Sequence, residues 1–537
     1  MARGESGVGA EEQKLAKEIQ TFEATAVPYM LALLESDNEA IRQFAGYVVA
    51  DLKGLTERDL DALFRARAAG DGWIPPAIAH VGTPRAVQFL VDDLRQHPQA
   101  MTQVTYALRI LGARAAVPLA RTFLDDAPVE GAWADAICEV LGEMHEEAAP
   151  AVPILIDRVR RGRAPVANRV GAIRSLGCMH AVARAATSAL VAVATQPELK
   201  DAANNALRNI GGPEGVAVLA EEIRTKPDLG AFARLAALGA DARAAVPVVV
   251  AQLGATDPDV RVHAARTLGF IGDESAAAPL GAVLADNFDW RLPFSAAESL
   301  GRLHAKSALP ALDALAASHW YPPVRDAAKQ AAVAIRENAP PPVVKGQMLG
   351  LEFAKFLMVR GPRLVADPTF VPGPSDLTAS ELKAMAYDTE IKSYGEDGEH
   401  RNPIKQAPGT GVKTSDGFLL GASRGEWGGE LVYLDPKLQG LTRLLETNVV
   451  GIHRTSAGIV VVTGRSHMFT NHGELYLAKP LSTGKYEMKR WKVLPGAPHR
   501  SGMLKGGTLL VQCTGGDVVL KGDRLEVAPG AQSGASD

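Results

Sequence analysis

One phrase, repeated seven times, constrains this 537-residue chain more than any other feature. A run of small residues closes on Leu-Gly or Ile-Gly: ALRILG (107–112), AICEVLG (136–142), AIRSLG (172–177), ALRNIG (206–211), ARLAALG (233–239), AARTLG (264–269) and AAESLG (296–301). The closing glycines, Gly112, Gly142, Gly177, Gly211, Gly239, Gly269 and Gly301, follow one another at steps of 30, 35, 34, 28, 30 and 32 residues. Weaker copies stand at Asp51-Leu52-Lys53-Gly54 and His80-Val81-Gly82. Self-similarity at this period predicts a helical solenoid, in which each unit buries its apolar face only by stacking on its neighbours. Solenoids offer long binding surfaces, so the phrase predicts an architecture suited to binding and leaves the ligand open.

Residues 244–276 show how one unit is built. Val246-Pro247 opens a helix, because a proline in the first turn forfeits no hydrogen bond. Gly254 and the Asp257-Pro258-Asp259 turn separate it from a second helix carrying Val260, Val262, Ala265 and Leu268. Gly272 is placed to end that helix with a positive φ. The same grammar recurs at Val117-Pro118, Val152-Pro153 and Leu309-Pro310. On these residues, the Asp-Pro-Asp-Val-Arg turn (257–261) and the Leu-Gly closures, the chain resembles the HEAT-like repeat family, in the short form also seen in phycobilin-lyase-type repeats. The resemblance implies an α-solenoid of about ten helix pairs over 26–338, after a charged N-terminal segment or helix (1–25).

A linker and irregular segment is expected over 339–410, opening on the proline-rich NAPPPVVKGQM (338–348), with one helix at 379–386. From Gly411 the pattern changes to short β-branched runs between glycine turns, which predicts strands. Three related phrases follow. Ser415-Asp416-Gly417 leads to Gly429-Glu430-Leu431, Ser456-Ala457-Gly458 to Gly473-Glu474-Leu475, and Lys505-Gly506-Gly507 to Gly516-Asp517-Val518. They resemble divergent β-propeller blades and imply an all-β antiparallel domain over 411–528, with a flexible tail at 529–537. Closed propellers have at least about four blades. Either a further blade lies in 349–410, or the sheets are open and pair with something else. The fold class is therefore multidomain α plus β.

The net charge of −4 argues against a nucleic-acid partner, which calls for a basic excess. No apolar run reaches about 18 residues, so no membrane span is expected. The segment MARGESGVGAEEQKLAKEIQ is charged and lacks the apolar stretch of a secretory signal. Cys138, Cys178 and Cys513 are too few and scattered for a disulfide framework or a CxxC metal site, which points to a reduced, cytoplasmic compartment.

Three before the closing glycines stand Arg109, Glu139, Arg174, Arg208, Arg266 and Glu298, with Asp51 in the first weak copy. Stacked repeats align them as a polar ladder. It reads either as a groove that binds an acidic or mixed-charge protein or peptide through arginine forks, or as a solvated face laced with inter-repeat ion pairs. His145, His180 and His304 recur three residues after closing glycines. Repeat neighbours are offset by about 10 Å, so helix-end hydrogen bonding suits them better than a shared metal. HEAT-like hydroxylases with a di-iron centre carry several His-Glu dyads; this chain has one, His145-Glu146, so the resemblance does not bring that activity.

In the β part, the loops containing Arg424-Gly-Glu426-Trp427 and Ser466-His467-Met-Phe-Thr-Asn-His472-Gly-Glu474 share one register. Arg424, Trp427, His467, Phe469 and Asn471 form a candidate partner-contact set. His467, His472 and Glu474 have chelating atoms, but their spacing fixes no geometry. Residues 413–526 carry fifteen Lys/Arg against ten Asp/Glu, including the cluster Lys485, Lys489, Arg490 and Lys492. The opposite charge of the remainder permits the two parts to dock. No phosphate-binding loop or nucleophile elbow stands in a suitable context. The expected function is a non-catalytic scaffold or adaptor that needs no metal or cofactor, takes a protein or peptide on the ladder, and uses the β-domain as a second contact surface. An accessory lyase- or chaperone-type enzyme, or an immunity protein that occludes a toxic enzyme, are the alternatives. Oligomeric state is left open, with pairing through open sheets as one form.

Overall fold

The computed structural model describes residues 9–98, 101–125, 127–341, 358–373, 376–395, 398–437, 440–467, 470–482 and 485–533. Contacts gather into two compact units, Met1–Glu221 and Glu222–Asp537. The first holds α1 Ala10–Gln20, α2 Val27–Leu33, α3 Glu39–Ala50, α4 Leu60–Ala68, α5 Ile74–Val81, α6 Pro84–Gln96 and α7 Met101–Leu111. It continues with α8 Ala113–Arg121, α9 Gly131–Glu143, α10 Val152–Arg160, α11 Val166–Cys178, α12 Thr187–Val193 and α13 Pro197–Ile210. After α14, Gly212–Thr225, the second unit opens with α15 Leu229–Leu238, α16 Val246–Ala251, α17 Pro258–Ile271 and α18 Ala277–Ala282, then α19 Arg291–Arg302, α20 Leu309–Ser318 and α21 Pro322–Glu337.

Helices bearing the repeated phrase stack on one another: α7 on α9, α9 on α11 and α11 on α13 in the first unit, α15 on α17 and α17 on α19 in the second. Leu108, Ile137, Leu141, Ile173, Leu176 and Leu207 fill the core of the first stack. Helix starts follow the proline grammar at Val152, Val246 and Leu309. Pro118 departs from it and lies inside α8, which starts at Ala113.

The closing glycines divide into two physical classes. Gly112, Gly211 and Gly239 adopt positive φ and end their helices, as does Gly272, in the left-handed region at φ 73°. By contrast, Gly142, Gly177, Gly269 and Gly301 lie inside helices. A Cβ on Gly142 would sit 2.8 Å from the Cys178 carbonyl oxygen, one on Gly177 2.9 Å from Ala206 Cα, and one on Gly269 2.7 Å from Ser299 Cα. In that class the glycine lets successive helices touch backbone to backbone.

Leu229–Gly254 is long and apolar enough to cross a membrane by length and composition, against the expectation of no such run. It is α15, a 3-10 segment, α16 and a final 3-10 turn, interrupted at Gly239 with φ 55°. The break at Gly239 divides it between the second helix of one repeat and the first helix of the next, so it is not a continuous span.

Beyond the helices lie α22, Ala379–Ala384, and fourteen strands among the described residues. Thr378 and Glu381 form a capping box that starts α22. β1 (Tyr387–Gly395) and β2 (Gly398–Gln406) make a hairpin where an irregular segment was expected. Three four-stranded antiparallel meanders follow. The first is β3 Thr410–Lys413, β4 Phe418–Ser423, β5 Gly429–Leu434 and β6 Leu441–Leu445. The second is β7 Val449–Thr455, β8 Gly458–His467, β9 Thr470–Ser482 and β10 Lys485–Val493. The third is β11 Pro498–Met503, β12 Leu509–Cys513, β13 Gly516–Lys521 and β14 Arg524–Val527. Each repeated β-phrase forms the central hairpin of one sheet.

The sheets are open and stack through their faces. Alternation along β8 sends Val460 and Val462 into a cluster with Leu509 and Val511 of the third sheet, and Ile459 and Val461 into one with Leu419 and Leu431 of the first. The two outermost faces are covered by the chain itself. Leu364 and Phe370 pack on Leu510 and Val519 of the third sheet, while Leu377, Leu382 and Tyr387 pack on Leu420, Val432 and Leu434 of the first. The Val371 amide donates to Met503 O at 2.8 Å and the Leu377 amide to Gly411 O at 3.1 Å, tying this stretch to β11 and to the start of β3. Among the described residues no fourth blade lies in 349–410; the segment supplies a hairpin and these two covers.

Within the second unit the sheets dock on the last helices through buried aromatics and a buried lysine. Trp290 donates its indole N–H to Leu494 O at 3.1 Å, and the Tyr321 hydroxyl donates to Gly515 O at 2.7 Å, both buried. The Val493 amide donates to Phe288 O at 3.0 Å. Lys492 is 7% exposed and donates to Asn287 O at 3.1 Å. Beside this joint, Arg291 grips Asp289 through a bidentate pair and Asp259 through its other nitrogen at 2.6 Å.

Burial also holds histidines neutral in this unit: His319 and His453 fall from the usual 6.5 to about 4. Their unfolded forms take up protons below pH 6.5, and the folded forms do so only near 4. The stability they contribute is therefore present above pH 6.5 and lost as pH falls towards 4, at up to about 1.4 kcal/mol per pH unit for each histidine. Urea unfolding monitored at steps between pH 7 and 4 is expected to show this loss, and a His319→Gln/His453→Gln pair to flatten it.

Candidate protein-interaction surfaces

The first unit carries most of the ladder. Arg109 on α7 pairs with Glu143 of α9 at 3.1 Å, and Arg174 on α11 pairs with Asp135 of α9. Both arginines bridge neighbouring helices and are about half exposed, which leaves each pair worth little to stability. Glu139 lies between these pairs on α9, exposed and without an ion pair among the described residues. Arg208 is half-buried on α13, and Asp51 is the exposed residue capping α3.

A cleft of about 510 Å³ opens on this face, lined by Arg109, Glu139, Glu143, His145, His180, Asn209 and the two cysteines Cys138 and Cys178. The cysteines are bonded as a disulfide, with Cα atoms 5.7 Å apart, across a sequence separation of 40 residues. One disulfide thus forms among three cysteines that the sequence reading took as too few and scattered for a disulfide framework. Their separation in sequence hid a pairing that the stacking of α9 on α11 creates. In the chain-entropy view, closing a loop of that length is worth about 4 kcal/mol.

His145, His180 and His304 take φ near 50°, left-handed positions just past the ends of α9, α11 and α19. The His180 ring lies 3.2 Å from Asn209 O. Their recurrence thus marks helix ends, where other repeats use glycine.

In the β part, Arg424, Trp427 and His467 come together around the turn between β4 and β5. A cleft of about 360 Å³ there is lined by Arg424, Glu426, Trp427, Glu430, Arg443 and Arg465 among others. His467 pairs with Glu426 at 3.1 Å. Asn471 instead accepts from the Ala497 amide and the Thr514 hydroxyl at 2.8 and 2.6 Å, which makes it a brace between the second and third sheets. Phe469 lies outside the described residues. The chelating trio separates: His467 meets Glu426, while Glu474 is taken by Arg490 at 3.1 Å and by Tyr476 at 2.7 Å. No cluster of metal-ligating side chains occurs among the described residues. The lysine-rich cluster also splits, since Lys492 is buried and Arg490 paired, while Lys485, Lys489 and Arg490 are exposed.

Residues 229–292 and 246–333 match the family described as HEAT repeats. These helix pairs are HEAT repeats. No curated protein matches the chain in sequence. Among solved structures, human deoxyhypusine hydroxylase in complex with glycerol is similar at 20% identity and a TM-score of 0.21, over 47% of this chain and 97% of that one. A Kap121p mutant is similar at 12% identity and 0.41, over 72% of this chain and 48% of that one. Importin beta is similar at 12% and 0.32, over 60% and 54%. The chain thus spans about half the length of the latter two.

Within the HEAT repeats the ladder turns inward. Arg266 is 3% exposed and pairs with Glu298 of the next repeat at 3.0 Å. That places Arg266 in the packing between repeats instead of in an accessible fork. Sequence reasoning missed Asp135 and Glu143, the partners that occupy the ladder arginines; their positions four before Glu139 and four after it were a usable signal. It also missed Arg443 and Tyr387, which reach Glu430 from the neighbouring strand β6 and from β1 without any local motif.

Proposed function

We propose that the chain is a non-catalytic scaffold whose first unit holds a protein or peptide segment on the face formed by α7, α9, α11 and α13. The HEAT repeats and the open sheets support a binding role in general terms. The observation that carries the finer reading is Glu139. It is exposed in the cleft and lacks an ion pair among the described residues, while Arg109 and Arg174 on either side are engaged by Glu143 and Asp135. A free carboxylate between satisfied pairs favours a partner that presents a lysine or arginine. The reading therefore shifts from an acidic or mixed-charge partner to a basic segment. The disulfide weighs against a reduced compartment.

Charge reversal tests it. Glu139→Lys is expected to weaken partner capture at least about thirtyfold, the scale of a buried interfacial charge left facing its like. Glu11→Lys, exposed on α1, should leave capture unchanged. Equal capture by all three proteins, read by quantitative mass spectrometry, contradicts the proposal.

A further inference from the structure

The Cys138–Cys178 bridge lies on the face where the proposed partner is held. Both cysteines line the cleft of about 510 Å³, and Glu139 follows Cys138 directly on α9. The bridge ties α9 to α11 and is the sole disulfide among the described residues. The Arg174–Asp135 pair that also joins these helices is about half exposed at both ends and weak. Beneath them the contact holds without sulfur. Ile137, Leu141, Ile173 and Leu176 are fully buried, and a Cβ on Gly142 would sit 2.8 Å from Cys178 O. Opening the bridge therefore leaves the two repeats stacked and frees only their outer edge. The sulfurs also differ in reach. Cys178 is half-buried at the end of α11, Cys138 is 8% exposed, and the third cysteine, Cys513, is wholly buried on β12.

We infer that the bridge is a redox control on this face, an assignment that rests on the partner site proposed around Glu139. Oxidised, it holds the face in its binding form; a thiol reductant entering the cleft loosens it. A thiolate of the reductant attacks Cys178 Sγ, the bond to Cys138 Sγ breaks, and Cys138 leaves with the electron pair and takes a proton from water. A second thiolate then attacks the reductant's sulfur in the mixed disulfide and releases Cys178 in the same way. Two thiols of the reductant become one disulfide, and the bridge becomes two thiols. The chain between 138 and 178 then loses its covalent closure, and α9 and α11 hold each other through apolar contacts and one exposed ion pair. A partner lying across both helices has to re-order them, which lowers its affinity. The coupling is reciprocal, so an occupant that favours the ordered face also disfavours reduction.

Hydrogen exchange on the full chain, oxidised and after dithiothreitol, tests the control without any partner. Amides of α9 and α11 are expected to exchange at least about tenfold faster once reduced, while those of α3 in the same unit change by less than about twofold. Circular dichroism should show the helices kept, and thiol labelling of the folded protein should appear at Cys138 and Cys178 but not at the buried Cys513. Partner capture by a Cys138→Ser/Cys178→Ser variant should be about tenfold weaker than by the oxidised wild type. Three results overturn the inference: a bridge that resists dithiothreitol until the protein unfolds, exchange that is unchanged or rises equally in α3, or a folded serine variant that captures as well as the wild type. Should neither form capture a partner, the Glu139 reading falls, and exchange alone decides whether the bridge controls the face.

Discussion

Gly269→Val is expected to destabilise the second unit by about 3 kcal/mol or more, enough to remove much of a domain's margin. Even the first added carbon would sit 2.7 Å from Ser299 Cα and 2.5 Å from its hydroxyl. That hydroxyl already donates to Ala265 O at 2.8 Å inside the core. Relief requires α17 and α19 to separate. In a solenoid each repeat is held only by its neighbours, so the loss spreads. Gly281→Ala is the control. Nothing lies within 4 Å of its position in α18, and a helical alanine in place of glycine gains about 0.5–1 kcal/mol. Urea midpoints of the two variants should therefore move in opposite directions; a tolerated valine at 269 refutes the close-packing role of the phrase.

Trp290→Ala is expected to cost about 3–5 kcal/mol and to release the sheets from the helices of their unit. The indole is 4% exposed, meets Tyr321 edge-on at 4.8 Å, and donates the bond that satisfies Leu494 O. Truncation removes a large apolar surface and strands a buried carbonyl together. Tyr321→Phe removes only the hydroxyl bond to Gly515 O and should cost about 1–2 kcal/mol. Limited proteolysis separates the outcomes: for Trp290→Ala the β-part should be cut early while helical fragments persist, whereas simultaneous loss of both parts would show that the joint is not a distinct seam.

The repeated phrase made the helix pairs legible because glycine is demanded wherever two helices touch or one ends. From sequence alone these two demands look identical. The termination at Gly239 and the contact at Gly269 share the same Leu-Gly signature, and only the neighbouring Ser299 tells them apart. The three central hairpins were legible for a similar reason, through glycine turns between β-branched runs. The β1–β2 hairpin was not, since Tyr387–Gln406 is polar, carries Pro403 and shows no apolar alternation; the sequence GEDG at 395–398 was the available signal. Arginine spacing found the ladder but not what the arginines do, because their partners sit on other helices. For the same reason the covers over the outer sheets and the Cys138–Cys178 bridge depend on contacts that no local pattern records.

Photo-cross-linking from the cleft tests the central claim most directly. A benzoylphenylalanine placed at Asn209, which lines the cleft beside Glu139, should yield a discrete protein adduct in the native cell. The same probe at Arg121, exposed on α8, should not, and adding Glu139→Lys should abolish the adduct at 209. No adduct at 209, or equal adducts at 209 and 121, would contradict a partner held on this face.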